Sequence, residues 1–97
     1  MKQLKVFIHD NYRTFLKDIY KFKKKERSGF SFRVFSRMAG FSSPNFIKLV
    51  MDGKRNLTSD STQKIAHALK LSTKEKEYFE ALILFNQSRS IKEKNFY

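Results

Sequence analysis

Residues 30–57 read FSFRVFSRMAGFSSPNFIKLVMDGKRNL, and their spacing predicts two short helices joined by a tight turn. Phe32, Phe35, Ser36 and Ala39 fall at the i, i+3, i+4, i+7 positions of one helical face. Gly40 follows at once, and glycine takes the left-handed φ that ends a helix without the steric cost other residues meet. Ser43-Pro44 restarts the chain, because serine can cap free amides and proline has no N–H to lose at a first helical position. The second helix is expected over Pro44–Asp52, with Phe46, Leu49 and Val50 as its buried stripe and Gly53 as its stop. Asn45 and Lys48, three apart, share its polar side.

Helical signals continue outward from this stretch. Residues 1–9 read as a frayed arm or a first turn, with Leu4, Phe7 and Ile8 reaching for the core. From Asp10, a plausible cap, the residues Tyr12, Phe15, Leu16, Ile19 and Tyr20 form an apolar stripe at helical spacing. Lys17, Lys21 and Lys24 project away from it, and KFKKKER (21–27) ends that helix in positive charge, which suits a helix C-terminus. Such a run is equally a solvated helix end or a phosphate contact. Ser28-Gly29 makes a turn and Ser31 caps the helix after it.

Beyond the central stretch, Lys54-Arg55-Asn56 form a polar loop and Leu57 returns to the core. Thr58 or Ser59 caps a fourth helix that buries Ile65, Ala66 and Leu69. Ser72 and Glu75 match the S-x-x-E capping box of a fifth helix carrying Tyr78, Phe79, Leu82, Ile83 and Phe85. The tail NQSRSIKEKNFY is polar until its last two residues. One proline, three glycines and no alternating strand pattern complete an all-α reading: one domain over 1–97, a compact five-helix bundle.

Charge is unevenly placed. The chain has 21 Lys+Arg against 9 Asp+Glu, a net of +12. Residues 1–55 hold 14 basic and 4 acidic side chains, net +10, while 56–97 hold 7 and 5, net +2. The positive half therefore contains the helix pair, which reads as a helix-turn-helix over 31–53 with its fifth-helix region and tail at 73–97. A basic face attracts phosphate backbones and releases their counterions. The plainer alternative is a soluble basic surface with no polyanion partner.

Other classes fit less well. With no cysteine, neither a disulfide scaffold nor a thiolate metal site is available, and a reducing cytoplasm is the expected setting. The apolar runs are far short of the ~20 residues that span a bilayer, and MKQLKVFIHDNY lacks the apolar core of a secretory signal. His9 and His67 are distant in sequence, and Glu75, Glu77 and Glu80 fit a solvated face better than an acid–base pair. No phosphate-loop or dinucleotide motif occurs, so neither an enzyme, a metal site, a cofactor nor a small-molecule ligand is expected. Of the eleven phenylalanines, Phe15, Phe32, Phe35 and Phe46 fit core stripes. Phe22, Phe30 and Phe41, at helix ends or turns, cover the core or touch a partner; stacking on single-stranded bases is the minor alternative.

Residues 30–71 resemble the lambda-repressor and Cro-like helix-turn-helix domains, through Ala39-Gly40, the second helix, DGKRNL and AHALKLS. More narrowly, YRTFLKDIY, the whole 30–57 stretch and EYFEALILFNQS are similar to the opening of a family of bacterial proteins. In that family such a domain precedes a longer domain of unknown function. The likeness covers roughly residues 10–97, and on it this chain is either the first part of a longer protein or a short relative. Two departures stand out: Ser36 replaces a customary alanine, and the segment from Gly40 to Gly53 is one residue longer than usual.

The resemblance and the charge together imply a sequence-specific double-stranded DNA-binding domain, a bacterial transcriptional regulator. Base-edge candidates are Ser42, Ser43, Asn45 and Lys48, since Asn pairs bidentately with adenine and Lys reaches guanine acceptors. The extra residue could shift the readers by one, which brings in Ile47 beside Ser43. Arg33, Arg37, Lys54 and Arg55 are the phosphate candidates. A weak homodimer through the fifth helix is expected, with Phe85, Ile91, Phe96 and Tyr97 as its surface. The runner-up function is a helical protein–protein interaction module whose nucleic-acid affinity is incidental.

Overall fold

Among the described residues five helices form, most of them with a local cap. Asn11, not Asp10, caps α1 (Tyr12–Glu26): its side chain accepts from the amides of Arg13 and Thr14. The Asp10 carbonyl instead accepts from the Asn86 amide, so Asp10 belongs to a long-range contact rather than to the cap. Ser31 caps α2 (Phe32–Met38) through the Val34 amide, as its position predicts. α3 is confined to Phe46–Met51, shorter than the expected Pro44–Asp52, because Pro44 and Asn45 form a turn and no side chain caps the helix. Thr58 caps α4 (Ser59–Ala68) in a reciprocal exchange with Ser61. The Ser72–Glu75 box opens α5 (Thr73–Phe96), both of its hydrogen bonds being formed.

The structure is a computed structural model that describes residues 9–96, with side chains through residue 88. Leu4, Phe7, Ile8 and Tyr97, and the side chains of Ile91 and Phe96, lie outside the described residues. Three helices end in the same way. After α2 the amides of Gly40 and Phe41 donate to Arg37 O and Ser36 O, with Gly40 at φ +84°. After α3, Gly53 and Lys54 repeat the pattern. After α4 it recurs at Lys70 and Leu71, but here a lysine takes the left-handed position, at φ +55°.

One apolar cluster gathers residues from all five helices. It contains Tyr12, Phe15, Leu16 and Ile19 of α1, Phe35 of α2, Ile47, Val50 and Met51 of α3, Ile65 and Ala66 of α4, and Phe79, Leu82 and Ile83 of α5. Phe30 and Leu57 close it from the connecting segments. Phe15 meets Phe79 edge-on at 5.7 Å, which locks α1 to α5. The Cα radius of gyration is 13.4 Å, close to the ~13 Å of a compact chain of about 100 residues. Among the described residues the structure is all helix and turn, and no described helix is long and apolar enough to cross a membrane.

The buried face of α3 corrects the expected stripe. Ile47, Val50 and Met51 are buried, whereas Phe46 and Leu49 are only partly so. Five of the six α3 residues are apolar, so spacing alone left the rotation of this helix undecided. Ile47, at 0 % exposure, cannot touch a partner and is removed as a reader. Phe46 packs instead on Phe41 in the preceding turn, ring centres 4.4 Å apart.

Candidate nucleic-acid interface

The junction between α2 and α3 is built around Ser36. Its side chain is wholly buried; Oγ donates to Pro44 O at 3.3 Å and accepts from the Ile47 amide at 3.4 Å. One hydroxyl thus ties α2 to the start of α3 and satisfies an amide that a short, uncapped helix would otherwise leave orphaned. An alanine at this position could not do this.

This tie presents the polar side of α3 outward. Ser42, Ser43, Asn45 and Lys48 are all exposed, as are Arg33, Arg37, Lys54 and Arg55. Arg33, Arg37 and Ser42 line one shallow concavity with Phe41 and Pro44, so two of the phosphate candidates and one of the base-edge candidates share an edge. Lys48 lies elsewhere on the face. Its ammonium is 5.8 Å from the Phe32 ring centre and 2.9 Å from the Asp52 carboxylate. Phe32 in turn stacks flat on Tyr20 of α1 at 4.0 Å, and Lys24 lies 5.8 Å over that Tyr20 ring. Lys24 also reaches the Phe30 carbonyl at 3.4 Å, so this lysine folds back more than its outward register implies.

Asp52 sits among lysines. A hydrogen bond from Lys48, together with the charges of Lys48, Lys54 and Lys17, holds its carboxyl below the usual carboxylate range. These charges come from Lys48 within α3, Lys54 in the loop after it and Lys17 of α1. The i, i+4 spacing of Lys48 and Asp52 was a readable signal for this pair. The approach of Lys17 had none, because it depends on how α1 lies against α3.

The loop carrying Lys54 and Arg55 is held by side chains from both ends of the chain. Arg13 of α1 donates to the carbonyls of Val50 and Arg55 and to Asn56 Oδ1, while its guanidinium lies 4.7 Å over the Tyr12 ring. Gln87 of α5 accepts from the Leu57 amide at 2.7 Å and donates to the Leu57 carbonyl at 3.0 Å. The same Gln87 oxygen accepts from Tyr12 Oη at 2.8 Å. Burial pushes the Tyr12 phenol up, with Arg13 opposing. Asn86 completes the clamp by accepting from the Tyr12 amide and donating to Asp10 O. Asn86 and Gln87 read in sequence as the start of a polar tail, and only the packing of α5 on α1 reveals their task.

Elsewhere, α4 and α5 flank an open groove lined by His67, Lys70, Lys76, Glu77 and Glu80, and Gln63 donates to the Glu80 carboxylate. Among the described residues no three His, Cys, Asp or Glu side chains converge on a metal-sized site. No family model, no curated protein and no solved structure matches the chain.

Proposed function

We propose that this chain is a lambda-repressor-like helix-turn-helix domain that binds double-stranded DNA sequence-specifically, as a cytoplasmic bacterial transcriptional regulator. The observation that carries this reading is the division of labour around α3. Ile47, Val50 and Met51 face the core, while Ser42, Ser43, Asn45 and Lys48 are exposed, with exposed Arg33 and Arg37 before them in the chain and Lys54 and Arg55 after. In this reading those four residues meet base edges in the major groove, and Arg33, Arg37, Lys54 and Arg55 hold phosphates. The chemistry is binding rather than catalysis, and no cofactor takes part.

Selection of bound sites from a random duplex pool tests it directly. A defined site should emerge, and log K should fall against log salt with a slope of about −5 if roughly six phosphates are contacted. Asn45→Ala and Lys48→Ala should each cost about 1–3 kcal/mol on that site and little on random DNA. Lys54→Ala should lower the slope by about one without changing preference. A slope near zero for the parent chain removes DNA as the partner.

A second reading has its own support. Leu84 and Phe85 of α5 are 68 % and 58 % exposed, on the side away from buried Phe79, Leu82 and Ile83. As an adjunct to DNA binding, this face fits a weak homodimer that pairs two half-sites; alone, it fits a helical interaction module. Sedimentation of the parent and of Phe85→Asp separates these: a chain monomeric at high concentration and on DNA ends the dimer reading.

A further inference from the structure

Asp52 is the one acidic residue between positions 27 and 59, in the segment that carries the candidate readers. Helix energetics do not account for it. It is the C-cap of α3, where the negative end of the helix dipole disfavours a carboxylate. Its i, i+4 partner Lys48 precedes it, the weaker of the two orientations for a helical ion pair. The pair is also exposed, and exposed pairs contribute little to folding. What the position does provide is a cationic setting: Lys48 bonded at 2.9 Å, with the charges of Lys54 and Lys17 also favouring the ionised carboxylate.

We infer that Asp52 is a specificity-determining residue of this interface, positioning Lys48 for base contact and repelling phosphate from the same surface. The inference rests on the DNA-binding reading above. A free lysine side chain samples many rotamers and settles readily on any phosphate. Lys48 is instead restrained between the Asp52 carboxylate and the Phe32 ring, so the ordering that a directed contact requires is in place before binding. Meanwhile the carboxylate meets every duplex with the same repulsion. That uniform repulsion weakens binding to all sequences alike and cancels from the ratio, so discrimination comes from the placed Lys48 contact, which only a matched site rewards. Asp52 touches no DNA base in this account and acts through Lys48.

Asp52→Asn keeps the shape and removes the charge, and it should leave the fold intact because the residue is exposed. Binding of parent, Asp52→Asn and Asp52→Glu is measured by fluorescence anisotropy on the selected site and on random duplex. Asp52→Asn should tighten random binding by roughly two- to fivefold, the size of an exposed charge interaction, and narrow the discrimination ratio, because the selected site gains the same charge relief but loses the placed Lys48. Asp52→Glu should restore most of the ratio. In a Lys48→Ala background, Asp52→Asn should still tighten random binding but leave the ratio unchanged. Equal tightening on both DNAs in the parent background, or no change on either, overturns the role assigned to Asp52 while the DNA reading stands. A parent chain that binds no duplex overturns that reading and this inference with it.

Discussion

The two connections that flank α3 are held in opposite ways. The turn from α2 is secured within its own neighbourhood: Gly40 in a left-handed conformation, and Ser36 bonded to Pro44 and Ile47, eight and eleven residues on. The loop toward α4 is secured from afar. Arg13 reaches Val50, Arg55 and Asn56 from about forty residues earlier in the chain, and Gln87 grips Leu57 from thirty residues later. The edge with Ser42 and Ser43 is thus a product of local sequence, whereas the edge with Lys54 and Arg55 exists only once α1 and α5 have packed. A contact between residues close in sequence closes a short loop and survives partial unfolding; a remote one forms late and fails early.

The largest effect is expected at the remote clamp. Gln87→Ala strips the Leu57 amide, the Leu57 carbonyl and Tyr12 Oη of one shared partner, all part-buried. Stability should fall by about 2–4 kcal/mol, since unsatisfied polar groups cost more than their hydrogen bonds contributed. Chemical denaturation measures the loss, and amide exchange should rise first around residues 54–57. Exchange rising uniformly across α2 and α3 instead would erase the distinction between the two connections.

Ser36→Ala probes the local side. It removes the tie to Pro44 and Ile47 but places a methyl in an apolar setting, so a loss of about 1 kcal/mol is expected. A loss exceeding that of Gln87→Ala would reverse the ranking. The smallest effect is expected at the third turn of the same design, where Lys70 stands in the left-handed position that Gly40 and Gly53 occupy elsewhere. Lys70→Gly should raise stability by up to about 1 kcal/mol, because glycine meets no Cβ penalty there. A thermal melt that shifts downward would mean that this turn, too, depends on something beyond its own backbone.

Each of these outcomes bears on how much of the molecule could be read in advance. Ser31, the Ser72–Glu75 box, Gly40 and Gly53 were legible, and the α4 cap was narrowed to Thr58 or Ser59, because each acts on groups within five residues of itself. The apolar stripe of α1 was legible for the same reason: helical period converts spacing directly into a face. Asp10 was misread as a cap only because Asn11, one residue on, competes for the same amides.

Sequence alone therefore determined the five helices, their order, most of their caps, and the concentration of positive charge in the first 55 residues. Tertiary structure decided which way α3 faces and what holds the loop beyond it. FIKLVM is apolar in five of six positions, so its own pattern permits more than one buried face. The Ser36 tie at Ile47 and the packing of α1 select the face formed by Ile47, Val50 and Met51. Arg13, Asn86 and Gln87 look like ordinary surface polar residues in the chain. Their partners are backbone groups and side chains up to 76 residues away, and backbone groups carry no sequence signature at all.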